Sequence, residues 1–226
     1  MGMKEQLFQG GFPDDYHDYV FKDGKLIGAF DEMYQHSKGI PWDQDKRCND
    51  WYAEVGLLML RDEGPYDSIL EMGCGLGYYA AKLQRFALGK KGTLHAFDVS
   101  ETAVEKARAS HRDIEFWVDD VTRTDYAPRR QYDLVVIRDV FWYIFEKMDT
   151  VVSNIQRSVR NGGHLYLCQS FPALDRPFVG KHVIPDPDAL IGFFSGRFRP
   201  VHSMRLRRHR VETDGPILHY LAEAVG

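Results

Sequence analysis

From about residue 66 onward, short apolar runs alternate with segments whose apolar residues recur every three or four positions. This alternation predicts strands separated by helices, the pattern of a doubly wound, mainly parallel α/β sheet with right-handed crossovers. The predicted strands cover residues 68–72, 92–99, 114–118, 132–137, 164–170, 198–206 and 217–224. We expect ligands to bind where the carboxyl ends of these strands meet, near the switch point of the sheet.

The same periodicity predicts the helices between the strands. A helix beginning at Asp45 carries an apolar stripe at spacings of three and four and ends at Gly64-Pro65. Its stripe consists of Trp51, Val55, Leu58 and Met59. Further helices are predicted over 78–86, 101–110 (with Ser100 as the N-cap), 149–159 and 188–194.

The first 45 residues have no such periodicity, because glycine and proline interrupt them repeatedly and aromatic residues lie between the interruptions. Aromatic side chains need an apolar surface to pack on. The sequence therefore predicts an N-terminal cap, residues 1–45, that packs on an α/β domain formed by residues 46–226.

The composition of the chain limits the classes of protein to which it can belong. The net charge of −4 gives the chain no general attraction to nucleic acid or acidic membranes. The three cysteines, Cys48, Cys74 and Cys168, have no CxxC spacing, which favours free thiols and no metal site. The first residues lack the apolar core of a signal peptide, and no apolar run approaches the roughly 20 residues of a membrane span. We expect a cytoplasmic monomer or homodimer with no membrane partner.

A glycine-rich turn follows the first predicted strand of the domain. Gly73, Gly75 and Gly77 stand between that strand and a helix, where backbone N–H groups can meet an anionic or nucleotide-like ligand. Glu71 precedes the three glycines by two positions. A dinucleotide has no special need for a carboxylate there, whereas a cofactor with an α-ammonium group and a sulfonium does.

Two further acidic positions lie at predicted strand ends. Asp98 ends the second strand of the domain, where a carboxylate can accept both hydroxyls of a ribose. Asp119 and Asp120 follow the third strand, where a carboxylate can accept the exocyclic amine of an adenine.

The segments ILEMGCGLG, FDVS, WVDDV, YDLVVIRDVFWYI and RNGGHLYL, spread over residues 66–170, together resemble the class I S-adenosylmethionine-dependent methyltransferases. The resemblance implies a Rossmann-like seven-stranded sheet whose last strand is antiparallel. It also implies S-adenosylmethionine as cofactor and S-adenosylhomocysteine as product. The cofactor-binding residues would be Glu71, Gly73, Cys74, Gly75, Gly77, Asp98, Val99, Asp119, Asp120, Val121 and Arg138.

Within this set the resemblance assigns roles. The glycine turn would hold the methionine part and Asp98 the ribose. Asp120 would accept the adenine amine, with Asp119 as the alternative, and the two valines would pack on the adenine faces. The main competing class is a nucleotide-sugar or NAD-dependent oxidoreductase with a similar first βαβ unit. Glu71 and the Gly-x-Gly-x-Gly spacing favour the methyltransferase.

Candidate catalytic residues follow the fourth strand. Methyl transfer mainly requires alignment of the acceptor, and a general base is needed only when the nucleophile keeps its proton until attack. Asp139, Tyr143 and, in the cap, His36 are the candidates. Many family members carry a histidine at the position of Tyr143, so this chain departs from that pattern. The strand end also lacks the Asn/Asp-Pro-Pro-Tyr of enzymes that methylate DNA bases or glutamine, which favours a small-molecule acceptor.

The cap segment around Pro41-Trp42 is similar to the N-terminal arm of sugar and nodulation-factor N-methyltransferases, which suggests a sugar or another metabolite as acceptor. Two alternatives stay open. A C-terminal basic run could bind RNA, although the net acidity of the chain disfavours this. The fold could also serve as a non-catalytic binding module. The basic run consists of Arg197, Arg199, His202, Arg205, Arg207, Arg208, His209 and Arg210.

Overall fold

The computed structural model describes Phe8 and residues 11–207 and 214–226. Its strands are β1 (Phe21–Lys22), β2 (Lys25–Leu26), β3 (Tyr66–Met72), β4 (Leu88–Asp98), β5 (Glu115–Val118), β6 (Tyr132–Arg138), β7 (Val159–Pro172), β8 (Phe198–Arg207) and β9 (Asp214–Ala224). Its helices are α1 (His17–Val20), α2 (Phe30–His36), α3 (Gln44–Arg47), α4 (Trp51–Glu63), α5 (Tyr78–Phe86), α6 (Glu101–Ser110), α7 (Phe141–Ile144), α8 (Met148–Ser158) and α9 (Pro187–Gly192), with short 3-10 turns at Pro41–Asp43 and Phe145–Lys147.

The central sheet has seven strands in the order β5-β4-β3-β6-β7-β9-β8. The pairs from β5 to β7 are parallel, and β9 runs antiparallel to both of its neighbours. The chain moves outward from β3 on one side through β4 and β5, then returns to β6 on the other side. This topology confirms the predicted fold class and the antiparallel last strand. It places the switch point between β3 and β6.

Side-chain alternation along the central strands fills an apolar layer on each face of the sheet. Leu70 and Ile137 share one buried cluster with Ile155 of α8. Ile69 and Val136 point to the other face, in a cluster with residues of α4 and α5. Because both faces are covered, the middle sections of these strands are apolar, and their carboxyl ends are the part left open for chemistry.

Four strands begin earlier than the sequence predicts, and the two largest extensions, at β4 and β7, each run through an irregular first section. β4 starts at Leu88, and its register with β3 shifts between Tyr66 and Ser68. β7 starts at Val159, so Gly162-Gly163, which follow the helix predicted over 149–159, lie inside the strand. The glycines do follow the end of α8, but the chain enters the sheet at once.

The predicted apolar stripe of α4 is wrong in part. Trp51 and Leu58 are 51% and 53% exposed, so the helix is rotated away from that stripe. The reason lies at Gly56, where an added Cβ would be only 1.9 Å from the hydroxyl of Tyr166. The close approach at this glycine decides which face of α4 is buried. The buried residues are Tyr52, Ala53, Gly56, Leu57, Met59 and Leu60.

The N-terminal segment, residues 11–47, forms an arm with a small apolar core of its own. Tyr19, Val20, Met33 and Tyr34 are buried there and cluster with Ala103 of α6. The arm aromatics therefore pack on the α/β body, as their composition predicts.

Polar contacts fix the arm at the start of α6. Asp31 accepts hydrogen bonds from the Ser100 hydroxyl at 2.7 Å and from the Thr102 N–H at 2.8 Å. Ser100 is also the N-cap of the helix, as predicted, because its Oγ accepts from the Ala103 N–H at 3.1 Å. The arm is thus hydrogen-bonded to the segment that follows β4.

In the described part of the chain, no helix combines the length and apolar character that a membrane crossing requires.

Candidate active site

A cavity of about 640 Å³ opens at the carboxyl ends of the parallel strands, beneath the arm. Its size lies within the roughly 300–1,000 Å³ typical of small-ligand sites. Most residues predicted from the sequence come together in its lining. They are Glu71, Gly73, Cys74, Gly75, Asp98, Val99, Asp119, Asp120, Val121, Arg138, Asp139 and Tyr143. Two other predicted residues, Gly77 and His36, lie outside this lining.

The glycine turn joins β3 to α5 with φ angles of +75° at Gly73, +53° at Gly75 and +79° at Gly77. Residues other than glycine are strained at such positive φ angles. At Gly77 an added Cβ would also be 2.9 Å from both His111 and Phe116. The third glycine is therefore required for close packing around the start of the helix, and it lies outside the cavity lining.

The second glycine meets the arm. A Cβ on Gly75 would lie 2.4 Å from Oε1 of Gln44 and 2.7 Å from the Tyr34 hydroxyl. Gln44 accepts a hydrogen bond from the Leu76 N–H at 2.9 Å and donates to Tyr34 at 2.8 Å. The arm thus covers the glycine turn directly. Sequence reasoning missed Gln44 and Tyr34, since neither belongs to a recognisable motif.

Asp98 is held at the end of β4 by the backbone. Its carboxylate accepts from the Gly75 N–H at 2.8 Å and the Ser100 N–H at 3.0 Å, and the residue is 8% exposed. Burial raises the pKa of Asp98, while the N–H groups of Ser100 and Gly75 act in the opposite direction. The neighbouring Val99 lines the cavity yet is 50% exposed. Asp98 and Val99 together therefore place a hydrogen-bond acceptor of fixed orientation beside an apolar side chain.

Asp119 and Asp120 both lie in the cavity lining at the end of β5. Asp119 accepts from the Asp120 N–H at 2.9 Å and lies 3.7 Å from a guanidinium nitrogen of Arg123. Asp120 uses one oxygen to accept from the Thr122 N–H at 2.8 Å. Asp119 also accepts from the indole N–H of Trp117 at 3.4 Å through its second oxygen. Both carboxylates are therefore oriented by local contacts, and Asp120 keeps more capacity to accept a further hydrogen bond.

Glu71 and Arg138 form the floor of the cavity. Glu71 is 3% exposed, and its Oε2 has no hydrogen-bond partner among the described residues. Burial raises the pKa of Glu71 to about 8, against the opposing effect of the Arg138 charge. The Arg138 guanidinium lies 3.7 Å from the ring centroid of Tyr79, a cation–π contact.

The candidate catalytic residues differ in placement. Asp139 has a left-handed backbone (φ +52°), and one of its oxygens accepts from the Ser170 N–H at 2.6 Å. Tyr143 packs against the arm, 5.2 Å from the Phe30 ring and 5.7 Å from the Trp42 ring, and its burial raises its pKa.

The third candidate, His36, lies on the arm. It is stacked on Phe12 at 3.6 Å and lies away from the cavity. Because its ring contacts the arm itself instead of the cavity, we do not retain it as a catalytic candidate.

Residues 69–163 match a family model described as a methyltransferase domain. The matched segment runs from β3 into β7 and contains the glycine turn, Asp98 and the Asp119-Asp120 pair. This match confirms the resemblance of the sequence motifs to methyltransferases. No curated protein sequence matches the chain significantly.

Several solved structures share the fold of this chain. The N-methyltransferase NodS from Bradyrhizobium japonicum WM9, solved with S-adenosylhomocysteine, has a TM-score of 0.66 and 20% identity, covering 83% of this chain and 93% of that chain. Magnesium protoporphyrin IX methyltransferase from Synechocystis PCC 6803, with bound S-adenosylmethionine, has a TM-score of 0.58 and 14% identity, covering 92% and 89%. The cyclase SpnF also has a TM-score of 0.58, at 15% identity, covering 77% and 82%. The fold is thus shared with a protein named for another reaction.

A residue spacing that is also found in oxidoreductases occurs after β6. Tyr143 and Lys147 have the Tyr-x-x-x-Lys spacing of an oxidoreductase pair. In the structure Lys147 is exposed and lies outside the cavity lining, although it donates to the hydroxyl of the lining residue Thr122 at 3.4 Å. Tyr143 lines the cavity and packs on the arm. The two side chains therefore do not form a joint site.

The described members of the C-terminal basic run mostly have partners within the protein. Arg197 donates to Ser153 at 3.0 Å, and His202 bonds Glu63 at 2.7 Å. Two further arginines are paired with acidic side chains, Arg199 with Glu223 and Arg205 with Asp188. This pairing lowers the positive charge available to RNA phosphates. Arg208, His209 and Arg210 lie outside the described residues.

The three cysteines are buried free thiols. A surface group overlooked in the sequence consists of Asp62, Glu63 and His202, whose ligand atoms lie within 4.8 Å of one another. Since His202 and Glu63 already pair with each other, and the acidic residues are exposed, we assign no metal to this group.

Proposed function

We propose that this chain is an S-adenosylmethionine-dependent methyltransferase that transfers a methyl group to a nitrogen or oxygen of a small molecule. The observation that carries the proposal is the buried, unpartnered Oε2 of Glu71 in the same cavity as Asp98 and the Asp119-Asp120 pair. A buried carboxylate without a partner is costly, and a cationic group of a ligand would offset that cost.

The residues present fit this cofactor. Glu71 and the turn at Gly73 and Gly75 would hold the amino-acid end, and Asp98 the ribose. Val99 and Val121 would pack on the adenine, with Asp120 or Asp119 accepting its amine. When bound, S-adenosylmethionine supplies a methyl group activated on a sulfonium.

The chain itself would contribute alignment and protection from water. The arm closes over the glycine turn through Gln44 and Tyr34, which restricts access of solvent to this side of the cavity. Asp139 keeps one carboxylate oxygen for Ser170 and would use the other to accept a proton from a hydroxyl or ammonium acceptor. Its left-handed backbone is of the kind that concentrates at functional sites.

Enclosure by the arm supports a small molecule over a polymer as the acceptor. The aromatic rings of Trp42 and Tyr143 lie 5.7 Å apart in the cavity wall, a surface suited to the face of a sugar or another ring. NodS is named as an N-methyltransferase. Its similarity in fold supports nitrogen as one possible target, together with the proline-tryptophan pair of the arm.

Calorimetric titration of the full chain tests the cofactor. We expect one S-adenosylmethionine or S-adenosylhomocysteine per chain, bound at micromolar concentration, and no binding of NAD⁺ under the same conditions. Absence of binding by both sulfur-containing ligands would overturn the proposal. If both bind, mass spectrometry of a metabolite extract incubated with S-adenosylmethionine detects transfer as a gain of about 14 Da on a small molecule. A binding module without catalysis would show no such gain.

A further inference from the structure

Four aromatic side chains in the cavity wall, three from the arm and one from α7, lie next to one another. They form what we call the aromatic box, which consists of Tyr16, Phe30, Trp42 and Tyr143. The ring centroid of Trp42 lies 5.4 Å from that of Tyr16 and 5.7 Å from that of Tyr143. Phe30 lies 5.2 Å from Tyr143. These three pairs are inclined at angles between 46° and 74°, so the rings are not stacked face to face. Since all four residues are also partly exposed, ring surface is left for a ligand.

The backbone holds two side chains of this region in position. Among the described residues other than glycine, four have a left-handed backbone, and two of these, Trp42 (φ +55°) and Asp139 (φ +52°), line the cavity. Such conformations persist only where surrounding contacts determine them, and they concentrate at ligand-binding sites. Trp42 is surrounded by the rings of the box, and Asp139 accepts from the Ser170 N–H. The indole and the carboxylate therefore have fixed orientations.

Asp139 places a negative charge beside the box. Burial raises the pKa of Tyr143, and the neighbouring charge of Asp139 raises it further. The phenol therefore stays neutral, and its ring faces carry the negative potential of an aromatic quadrupole. Ring faces and a carboxylate both attract a cation. The combination favours a positively charged ligand group.

Arg47 is a positive charge in the same cavity lining and acts against a cationic ligand. It belongs to the arm, is exposed to solvent, and interacts electrostatically with Asp139 and Tyr16. His17 also lines the cavity, but its ring is paired with Asp15 at 2.8 Å. Because water screens an exposed guanidinium, we expect Arg47 to weaken the attraction of the box for a cation without reversing it. A site for anions would instead depend on Arg47.

Resting on the proposed function, we propose that the aromatic box binds the acceptor through a cationic amine. The acceptor is an aliphatic amine that is protonated in solution, and not an alcohol or a carboxylate. Its ammonium group lies against the ring faces of Trp42 and Tyr143, with Asp139 as the counter-charge.

The target of methyl transfer is therefore nitrogen. The ammonium group gives one proton to the free carboxylate oxygen of Asp139, and the nitrogen lone pair forms the new bond to the methyl carbon. The carbon–sulfur bond breaks at the same time and its electron pair stays on the sulfur, which leaves S-adenosylhomocysteine.

Three probes of nearly the same shape test the preference for charge. They are choline, the neutral 3,3-dimethylbutan-1-ol and the anionic 3,3-dimethylbutanoate, which differ in their attraction to aromatic ring faces. Each is titrated by ligand-observed NMR into the full chain saturated with S-adenosylhomocysteine, which fills the cofactor end of the cavity. We expect choline to bind at least about five-fold more tightly than the alcohol, and the carboxylate to bind most weakly.

This comparison requires no variant. Choline binding that is no tighter than binding of the alcohol would overturn the aromatic box. Failure of S-adenosylhomocysteine to bind would instead overturn the proposed function.

Two substitutions remove a ring of the box but keep an apolar side chain. Trp42→Leu and Tyr143→Leu should each reduce the preference for choline over the alcohol about three-fold or more, whereas Tyr143→Phe, which keeps the ring, should retain most of it. Trp51→Leu is the matched control, because Trp51 is 51% exposed and lies outside the cavity lining. An equal loss for both probes in the ring variants would indicate apolar packing alone and contradict the assignment. Thermal unfolding checks the folding of each variant.

The charge at Arg47 separates a cation site from an anion site. Arg47→Gln should leave choline binding unchanged or strengthen it by up to about three-fold. A wild-type preference for the carboxylate that disappears in Arg47→Gln would overturn the proposal. Tandem mass spectrometry of the methylated product gives an independent check, since we expect the new methyl group on nitrogen, and a methyl group on a hydroxyl oxygen would contradict the proposal.

Discussion

Replacing Glu71 with glutamine is expected to stabilise the ligand-free protein while weakening its ligand binding. Burial raises the pKa of Glu71 from 4.5 to about 8. Because the folded-state pKa is the higher one, the stabilising contribution of the protonated carboxyl is complete below pH 4.5 and is lost as the pH rises through about 8. Glutamine has nearly the same shape and does not titrate.

The magnitude follows from the shift in pKa. Each pKa unit corresponds to about 1.4 kcal/mol, so at pH 7 the wild type loses up to about 3 kcal/mol of unfolding free energy that Glu71→Gln retains. The residue is 3% exposed, so solvent screening reduces this value little. Glu146→Gln, at an exposed position, is the matched control for loss of a carboxylate.

Urea denaturation followed by circular dichroism at pH 5, 7 and 9 measures the effect. We expect the unfolding free energies of the wild type and Glu71→Gln to be close at pH 5 and to diverge as the pH rises, with the variant more stable. Glu146→Gln should follow the wild type. Parallel profiles for the wild type and Glu71→Gln from pH 5 to 9 would refute the reasoning about burial.

Three further substitutions probe the remaining parts of the site. Asp98→Ala should weaken S-adenosylhomocysteine binding about ten-fold or more, because a charge-assisted acceptor is lost; wild-type affinity by calorimetry would refute the ribose assignment. Gly75→Ala should lower the unfolding free energy by about 1–3 kcal/mol in urea, since its backbone is left-handed and the arm leaves no room for a Cβ; an unchanged midpoint would contradict this. Asp31→Ala should loosen the arm by removing the acceptor for Ser100 and Thr102, and hydrogen exchange should then increase in α2 more than in β3; equal protection in wild type and variant would argue against this anchor.

The fold could be predicted from the sequence because the apolar runs, the helix cap and the alternation of strands and helices all indicate the same architecture. The apolar runs around Ile69 and Val136 are buried on both faces of the sheet, as parallel strands require, and Ser100 caps the helix that it precedes. Periodicity alone misplaced the buried face of α4. At Gly56 the close approach of Tyr166 decides the rotation of the helix, and such a tertiary contact leaves no periodic signal.

The candidate site likewise has one part that the sequence indicates and another part that it does not. Glu71, Asp98 and the acidic pair after β5 could be predicted, since each stands at a fixed offset from a strand end and all of them line one cavity. The individual contacts of the arm with the glycine turn could not be predicted. Gln44 contacts the glycine turn from 32 residues away, and no local spacing indicates that contact. His36 was misleading for a related reason, because its stacking on Phe12 depends on how the arm folds.

A crystal structure of the full chain with S-adenosylhomocysteine tests the central claim most directly. The account predicts the adenine beside Val99, both ribose hydroxyls within hydrogen-bond distance of Asp98, and the amino-acid end on Glu71 below the glycine turn. Electron density for the ligand outside this cavity, or in it with the amino-acid end directed away from Glu71, would contradict the account.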